Sequence, residues 1–129
     1  MGYLMQSPLT FSARTTTGAG RGKTLGTPTI NLDLRDIPSD LTKGVYACAL
    51  DHRPAVLHYD ERPSFADSLS CEVHVLDAVV SKLPEKVTIT LHDRLRDVQK
   101  FATAEALMEQ IREDIRRTRA ILASLPQKP

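Results

Sequence analysis

Residues 18–32 read GAGRGKTLGTPTINL and change character half-way, from a glycine-rich loop to the beginning of a β-strand. Glycine stands at three alternate positions, Gly18, Gly20 and Gly22. Glycine lets a backbone turn sharply or approach a ligand closely, and successive N–H groups in such a turn can bind an anion. Arg21 and Lys23 add positive charge at the same place. The loop is therefore either a phosphate-binding loop or a simple connection between two strands.

The second half of the stretch, TPTINL, has the alternation of a half-buried strand. Ile30 and Leu32 would point inward, whereas Thr29 and Asn31 would share the opposite face. A hydroxyl and an amide carbonyl are hard oxygen ligands, which Mg²⁺ accepts beside substrate phosphates. The pattern predicts a strand whose polar face carries a candidate metal and phosphate site.

Two common phosphate-binding motifs do not fit this stretch. A P-loop requires G-x-x-x-x-G-K-[ST] at the start of a helix, but Thr17 stands where its first glycine belongs, and Pro28 with the β-type residues after it argues against a helix. A dinucleotide fingerprint requires G-x-G-x-x-G, and Leu25 occupies the place of its last glycine. Both motifs are excluded.

Outside the loop, the first three-quarters of the chain read as short strands with turn residues between them. The predicted strands are Ser7–Arg14, Thr29–Leu34, Gly44–Leu50, Ala55–Tyr59, Leu69–Val80 and Val87–His92. Closely spaced strands without intervening helices favour an antiparallel sheet, closed as a small barrel.

The last quarter of the chain predicts one helix. Thr103 can cap a helix that runs to about Ser124, and Glu113 can pair with Arg117 one turn later. An apolar stripe at near-helical spacing is expected to pack on the barrel, and it consists of Leu107, Ile111, Ile115, Leu122 and Leu125. We therefore expect a single domain spanning residues 1–129.

Composition narrows the class of function. A formal net charge of +1 gives no strong attraction to nucleic acid, and the chain has no Trp and few other aromatics to stack on bases. Acidic residues interrupt the arginines of the helix, so a barrel that binds RNA is the least favoured alternative. The first residues lack the basic start and long apolar run of a signal peptide, and no apolar run is long enough to cross a bilayer, so we expect neither feature. Cys48 and Cys71 fall in strand-like segments, which predicts buried free thiols in a reducing cytoplasm.

Glu72 is the strongest candidate for acid–base chemistry, because it interrupts an otherwise apolar strand. It is either a base that acts on an alcohol or a solvated residue on an outer sheet face. His74 would lie on the same face, and the spacing of the four histidines does not predict a zinc site. Arg94, Arg96 and Asp97 stand between the last strand and the helix, where they form either a ligand clamp or a charged connector.

Five segments in order resemble one family. They are GAGRGKTLGTPTINL, KGVYACAL, RPSF, CEVHVLD and RLRDVQKF with the helix after it. Together they resemble the riboflavin kinase (flavokinase) domain, like the C-terminal half of bacterial bifunctional riboflavin kinase/FAD synthetases. The chain departs from the family pattern at Thr27, at residues 58–61 and at residues 83–86, positions that bear on nucleotide and flavin fit.

The resemblance implies a six-stranded antiparallel, Greek-key-like β-barrel with a C-terminal α-helix packed on it. It also implies a kinase that moves the γ-phosphoryl of ATP to the ribityl 5′-hydroxyl of riboflavin, giving FMN and ADP. Thr29 and Asn31 would hold Mg²⁺, or Mn²⁺ or Zn²⁺ as a substitute, Glu72 would accept the hydroxyl proton, and Arg96 would belong to the flavin-side loop. The nucleotide phosphates would contact Gly18, Gly20, Arg21, Gly22 and Lys23.

The resemblance also leads to expectations about the product, the location and the partners of the protein. Without the adenylyltransferase half of the bifunctional enzymes, the chain should stop at FMN. We expect a cytoplasmic monomer with small-molecule substrates and no nucleic-acid or membrane partner. The alternative is a barrel of the same fold that binds flavin or nucleotide without turnover, as the altered residues 58–61 would permit.

Overall fold

The structure is a computed structural model and describes residues 3–16, 29–61, 69–76 and 83–125. Within these ranges the chain forms six strands, a short 3-10 turn and one long helix. The strands are β1 (Tyr3–Thr16), β2 (Thr29–Leu32), β3 (Gly44–Leu50), β4 (Arg53–Glu61), β5 (Leu69–Val75) and β6 (Lys86–Arg96), followed by helix α1 (Ala104–Ala123).

The six strands close into a barrel in the order β1-β2-β5-β4-β3-β6. Every neighbouring pair is antiparallel. The hairpins β3–β4 and β4–β5 lie in the middle, while β2 returns beside β5 and β6 returns beside β3. This order is that of a Greek key, so the predicted antiparallel barrel with a C-terminal helix is confirmed.

Alternating side chains fill the interior of the barrel. The buried inner residues come from every strand and include Ala13, Ile30, Cys48, Leu57, Val73, Ile89 and Leu91. Each is at most 2% exposed. Because neighbours along a strand point to opposite sides of a sheet, the intervening residues of β2, β4 and β5 must lie on the outer face.

Helix α1 covers part of this outer face. The Thr103 hydroxyl accepts a hydrogen bond from the backbone N–H of Ala106, so the predicted helix start is confirmed. The helix packs on β3, β4 and β6. Its contact is a small apolar cluster formed by Val45, Ala47, Val56 and Leu95 of the barrel with Ile115 and Ile121 of α1.

Most strand bounds differ from the prediction. Strands β1 and β4 are longer at both ends than predicted, and β5 ends at Val75 rather than Val80. Strand β2 ends at Leu32 rather than Leu34, because the Asp33 carboxylate accepts the backbone N–H of Arg35 and starts the 3-10 turn Leu34–Asp36. Leu34 is consequently exposed rather than inward. Strand β6 runs on past His92 to Arg96 with two register shifts against β3, which local alternation does not reveal.

Two expectations about α1 are wrong as well. Leu107 is 38% exposed and does not join the packed stripe. Glu113 pairs with Arg116 at i,i+3 instead of Arg117. Arg117 donates to the carbonyl oxygen of Leu95 on β6, so its guanidinium helps to attach the helix to the barrel.

Candidate active site

The strand register places five residues in one row across the outer face of the barrel. Hydrogen-bonded neighbours pair in the sequence Arg96–Val45–His58–Glu72–Asn31. Directly opposed residues of antiparallel strands have Cβ atoms about 4.5–5.5 Å apart. Glu72 therefore lies between His58 and Asn31, and the predicted base and one predicted metal ligand are adjacent.

A second row lies beside the first on the same face, two residues away along each strand. It pairs Thr29 of β2 with His74 of β5, and His74 with Val56 of β4. The hydroxyl oxygen of Thr29 is 3.2 Å from Nδ1 of His74, within hydrogen-bonding distance. Thr29, Asn31, Glu72 and His74 thus form a compact group, which we call the polar quartet, and all four are partly buried.

The helix borders this group. Helix α1 packs chiefly on β3, β4 and β6, over Val45, Ala47 and Val56, whereas the polar quartet belongs to β2 and β5. The helix therefore covers Val45 of the first row and Val56 of the second, and the polar quartet lies next to it. This arrangement favours a site at the edge of the helix–barrel contact.

Both histidines of the rows are disposed to stay neutral. Desolvation lowers the pKa of His58, with a further lowering from Arg96, against opposing contributions from Asp60, Glu72 and Asp114. Desolvation likewise lowers the pKa of His74, while the Glu72 carboxylate acts in the opposite direction. Each neutral imidazole has one nitrogen that accepts and one that donates a hydrogen bond, so both rings can orient their neighbours without adding charge.

Arg96 stands at the far end of the first row, and its guanidinium is already engaged. Its side chain donates to both carboxylate oxygens of Asp114 on α1 and to the backbone carbonyl of Asp97. The guanidinium also lies 5.8 Å from the ring centroid of Phe101. Both partners of the ion pair are nearly buried, with 12% and 4% of their side-chain surfaces exposed. This geometry gives Arg96 a structural task, the attachment of α1 beside the site.

The predicted phosphate loop is not part of the described chain. Gly18, Gly20, Arg21, Gly22 and Lys23 all lie outside the described residues. Residues 17–28 connect β1 to its hydrogen-bonded neighbour β2, which carries Thr29 and Asn31.

A conventional metal cluster is absent from the described ranges. There, no group of three or more His, Cys, Asp or Glu side chains could hold a metal ion. The polar quartet offers the neutral oxygens of Thr29 and Asn31 and the single carboxylate of Glu72, so a cation held there would need further oxygens from a ligand. Such sparse protein ligation suits Mg²⁺ bound with a nucleotide.

Comparison with known proteins decides the family. A family model described as riboflavin kinase matches residues 5–122. The chain belongs to the riboflavin kinase family. Named relatives are bifunctional riboflavin kinase/FMN adenylyltransferases, one from Pseudomonas fluorescens at 33% identity over 93% of this chain and one from Escherichia coli K12 at 32% over 86%. The chain spans 40% and 37% of their respective lengths.

Solved structures support the same fold. A Trypanosoma brucei riboflavin kinase superposes with a TM-score of 0.66 at 19% identity, over 92% of this chain and 82% of its own. A Streptococcus pneumoniae structure described as a macrolide-efflux protein gives a TM-score of 0.76 at 29% identity, over 87% of this chain and 38% of its own. In the described part of this riboflavin kinase family member, no helix has the length and apolarity needed to cross a bilayer.

Sequence reasoning missed two residues beside the quartet. Asp114 was overlooked because a helical aspartate is usually solvated, yet it falls on the same helical face as Ile111, Ile115 and Thr118, and this spacing could have identified it. His58 was noted only as a departure from the family pattern. Its position opposite Glu72 depends on the pairing of β4 with β5, for which the sequence gives no local signal.

Proposed function

We propose that this chain transfers the γ-phosphoryl group of ATP to the ribityl 5′-hydroxyl of riboflavin, forming FMN and ADP. The family match supports the reaction class. The single observation that carries the site assignment is the cross-strand pairing of Glu72 with Asn31, with Thr29 two residues away on the same face of β2. A base for the alcohol and ligands for the phosphate side are thereby held on adjacent strands.

The donor set fits Mg²⁺ as the nucleotide-bound cation. Thr29 and Asn31 offer a hydroxyl and an amide oxygen from one face of β2, and both side chains are partly buried. We assign these two residues to the cation and the phosphates, and when bound the cation would neutralise charge on the transferring phosphoryl group. Mn²⁺ or Zn²⁺ could take its place as a substitute.

We assign Glu72 the role of accepting the proton of the substrate alcohol. The 5′-hydroxyl oxygen attacks the γ-phosphorus, the bond from that phosphorus to the β–γ bridging oxygen breaks, and ADP leaves with the bond electrons. The hydroxyl proton passes to the Glu72 carboxylate and then to solvent. Phosphoryl transfer depends mainly on positioning and charge stabilisation, so the fixed place of Glu72 on β5 is its main contribution.

The remaining assignments follow from location. We place the nucleotide phosphates against Gly18, Gly20, Arg21, Gly22 and Lys23, because the chain carrying them leads directly into Thr29. We give Arg96 an indirect part on the flavin side: its ion pair with Asp114 holds α1 next to the row that contains Glu72. A cytoplasmic, monomeric state remains a prediction.

Incubation of the purified protein with riboflavin, ATP and Mg²⁺, followed by chromatographic separation of flavins, tests the proposal. We expect FMN and ADP in equal amounts, and no FMN when Mg²⁺ is chelated. The inert-barrel alternative predicts flavin or nucleotide binding without FMN. The feature that favours this alternative is the unusual segment containing His58. Binding of riboflavin and of Mg-ATP should therefore be measured by titration in the same samples, to distinguish binding from turnover.

A further inference from the structure

The hydrogen bond between Thr29 and His74 has a consequence for the direction of the Thr29 hydroxyl. The two residues are direct cross-strand partners of β2 and β5, and Oγ1 of Thr29 is 3.2 Å from Nδ1 of His74. A hydroxyl has one proton to donate and two lone pairs to offer. If its oxygen faces a cation or a cation-bound phosphate, its proton must point to another acceptor.

We propose that His74 is a positioning residue whose Nδ1 accepts the Thr29 hydroxyl proton and thereby turns the Thr29 oxygen toward the metal–nucleotide. The inference rests on the proposed function, because it takes Thr29 as a ligand on the phosphate side. It assigns His74 the tautomer with its proton on Nε2. Outer partners of this kind fix the orientation of the groups that contact a metal.

The strand that carries His74 is anchored in the barrel wall. The neighbours of His74 on β5, Val73 and Val75, are fully buried, and its other cross-strand partner is the buried Val56 of β4. Because β5 is paired with β2 on one side and β4 on the other, the backbone of His74 keeps its place opposite Thr29.

Three substitutions of His74 separate the contribution of its Nδ1 acceptor from that of the size of its side chain. His74→Asn places an amide atom close to the position of Nδ1, His74→Gln extends its amide toward the position of Nε2, and His74→Phe keeps a ring without nitrogen. Loss of an outer-shell partner typically lowers metal affinity or activity about 10–100-fold. We expect His74→Phe and His74→Gln to weaken Mg-ATP binding by this factor with the riboflavin KM unchanged. We expect His74→Asn to recover most of the affinity.

A double-mutant cycle with Thr29→Val tests whether the two residues act as a unit. The combined Thr29→Val/His74→Phe variant should bind Mg-ATP no more weakly than the weaker single variant. Thr10→Val is the matched control, since Thr10 Oγ1 lies 3.3 Å from Thr90 Oγ1 across β1 and β6. It removes the same hydroxyl from another cross-strand pair and should leave binding unchanged.

A spectroscopic measurement on the wild-type protein does not depend on turnover. Two-bond ¹⁵N–¹H correlations of the imidazoles distinguish the Nε2–H tautomer from the Nδ1–H tautomer, and the exposed His52 serves as an internal comparison. We expect His74 to be neutral with its proton on Nε2. This readout keeps the proposal testable if a His74 variant fails to fold.

The outcomes are distinguishable from those of the proposed function. Wild-type protein that binds Mg-ATP but forms no FMN would contradict the kinase assignment, and the role of His74 would then be judged on Mg-ATP affinity and tautomer alone. An Nδ1–H tautomer, additive effects in the cycle, or equal losses in His74→Asn and His74→Phe would each overturn the role of His74. Wild-type protein that binds no Mg-ATP would overturn both.

Discussion

Asn31 and Glu72 are direct cross-strand partners on β2 and β5, and this pairing brings the two halves of the proposed chemistry together. Asn31 belongs to the strand that follows the glycine-rich residues, and Glu72 to a strand reached only after two further strands. Their side chains lie on the outer face of the barrel, opposite the core formed by Ile30 and Val73. The separation of the proposed phosphate ligand from the proposed base is therefore set by sheet geometry.

Replacement of that base gives the first prediction. Glu72→Gln keeps the size and polarity of the side chain but removes the proton acceptor. General base catalysis by a positioned side chain contributes about 10²–10⁴-fold, so kcat for FMN formation should fall by that factor. The affinity for Mg-ATP should change little, since the phosphate ligands are assigned to β2 instead. Rapid-quench kinetics and isothermal titration measure the two quantities.

The control for this variant is Glu109→Gln. Glu109 lies on α1 with 80% of its side chain exposed and is only 3.7 Å from Arg112 in a surface ion pair. The Glu109→Gln variant should keep the wild-type kcat and the wild-type affinity for Mg-ATP. A Glu72→Gln protein with undiminished kcat would remove Glu72 from the role of base.

The buried pair of Arg96 and Asp114 gives the second prediction. Asp114→Ala leaves the Arg96 guanidinium without its carboxylate, and breaking a buried pair costs about 3–5 kcal/mol of folding free energy. Replacing both partners, as in Arg96→Met/Asp114→Leu, should recover much of that loss because no charge remains buried. Urea unfolding measures the free energies of all three proteins.

The exposed pair of Glu113 and Arg116 on the same helix is the matched comparison. Glu113→Ala should change the unfolding free energy little, because ion pairs screened by water contribute little to stability. Equal destabilisation by Asp114→Ala and Glu113→Ala would show that the Arg96–Asp114 pair does not hold α1 on the barrel. FMN formation by the double replacement would further separate attachment of the helix from any direct contact of Arg96 with flavin.

Much of the fold was predictable because alternation is a local property. Strand β3 has the predicted bounds, Gly44–Leu50, and its sequence is almost continuously β-favouring. The Thr103 cap and the buried thiols of Cys48 and Cys71 were also readable from residue type and position. In each of these cases the deciding interaction involves near neighbours or simple burial.

The set of residues that form the candidate site was harder to predict from the sequence, because it depends on the register between strands that are distant in the chain. Alternation correctly put Thr29 with Asn31 and Glu72 with His74 on common faces. It could not show that Glu72 stands opposite both Asn31 and His58. The two register shifts of β6 against β3 are of the same kind, since a bulge changes which residues face each other without a distinct sequence signal.

The third prediction concerns pH and His58. Its folded-state pKa is lowered, first by desolvation, so the folded protein favours the neutral ring more than the unfolded chain does. This contribution to stability is fully present above the unfolded pKa of about 6.5 and is lost as pH falls through the folded value. The unfolding free energy should therefore decline as the pH falls below about 6.5. Urea titrations at a series of pH values measure the decline.

The variant His58→Asn should make that decline shallower, because one of the groups responsible is gone. His52→Asn is the control. His52 is exposed in the turn after β3 with a φ of 77°, a conformation that asparagine tolerates well. The control should keep the full pH dependence, and an unaltered slope in His58→Asn would contradict the partly buried, neutral state of that ring.

The fourth prediction uses the two thiols to measure the rigidity of the site. Cys48 and Cys71 are free and at most 1% exposed, and burial raises the pKa of Cys71 to about 12. A thiol reagent needs both access and thiolate, so at pH 8 the folded protein should react only as fast as it opens. In urea, both thiols of the chain should react promptly. The variant Ser12→Cys, which places a thiol on the exposed surface, should add a third thiol that reacts without urea.

Because Cys71 directly precedes Glu72 on β5, its reaction rate reports opening of the strand that holds the base. Mg-ATP bound across β2 and β5 should slow the labelling of Cys71, since a ligand that binds only the closed state stabilises that state by mass action. Cys48 on β3, paired with β4 and β6, gives the reference rate for opening elsewhere in the barrel. Slowing at Cys71 beyond that at Cys48 would locate nucleotide binding at β5, whereas equal slowing would show that the barrel opens only as a whole. Rapid labelling of Cys71 without denaturant would contradict a rigidly held Glu72.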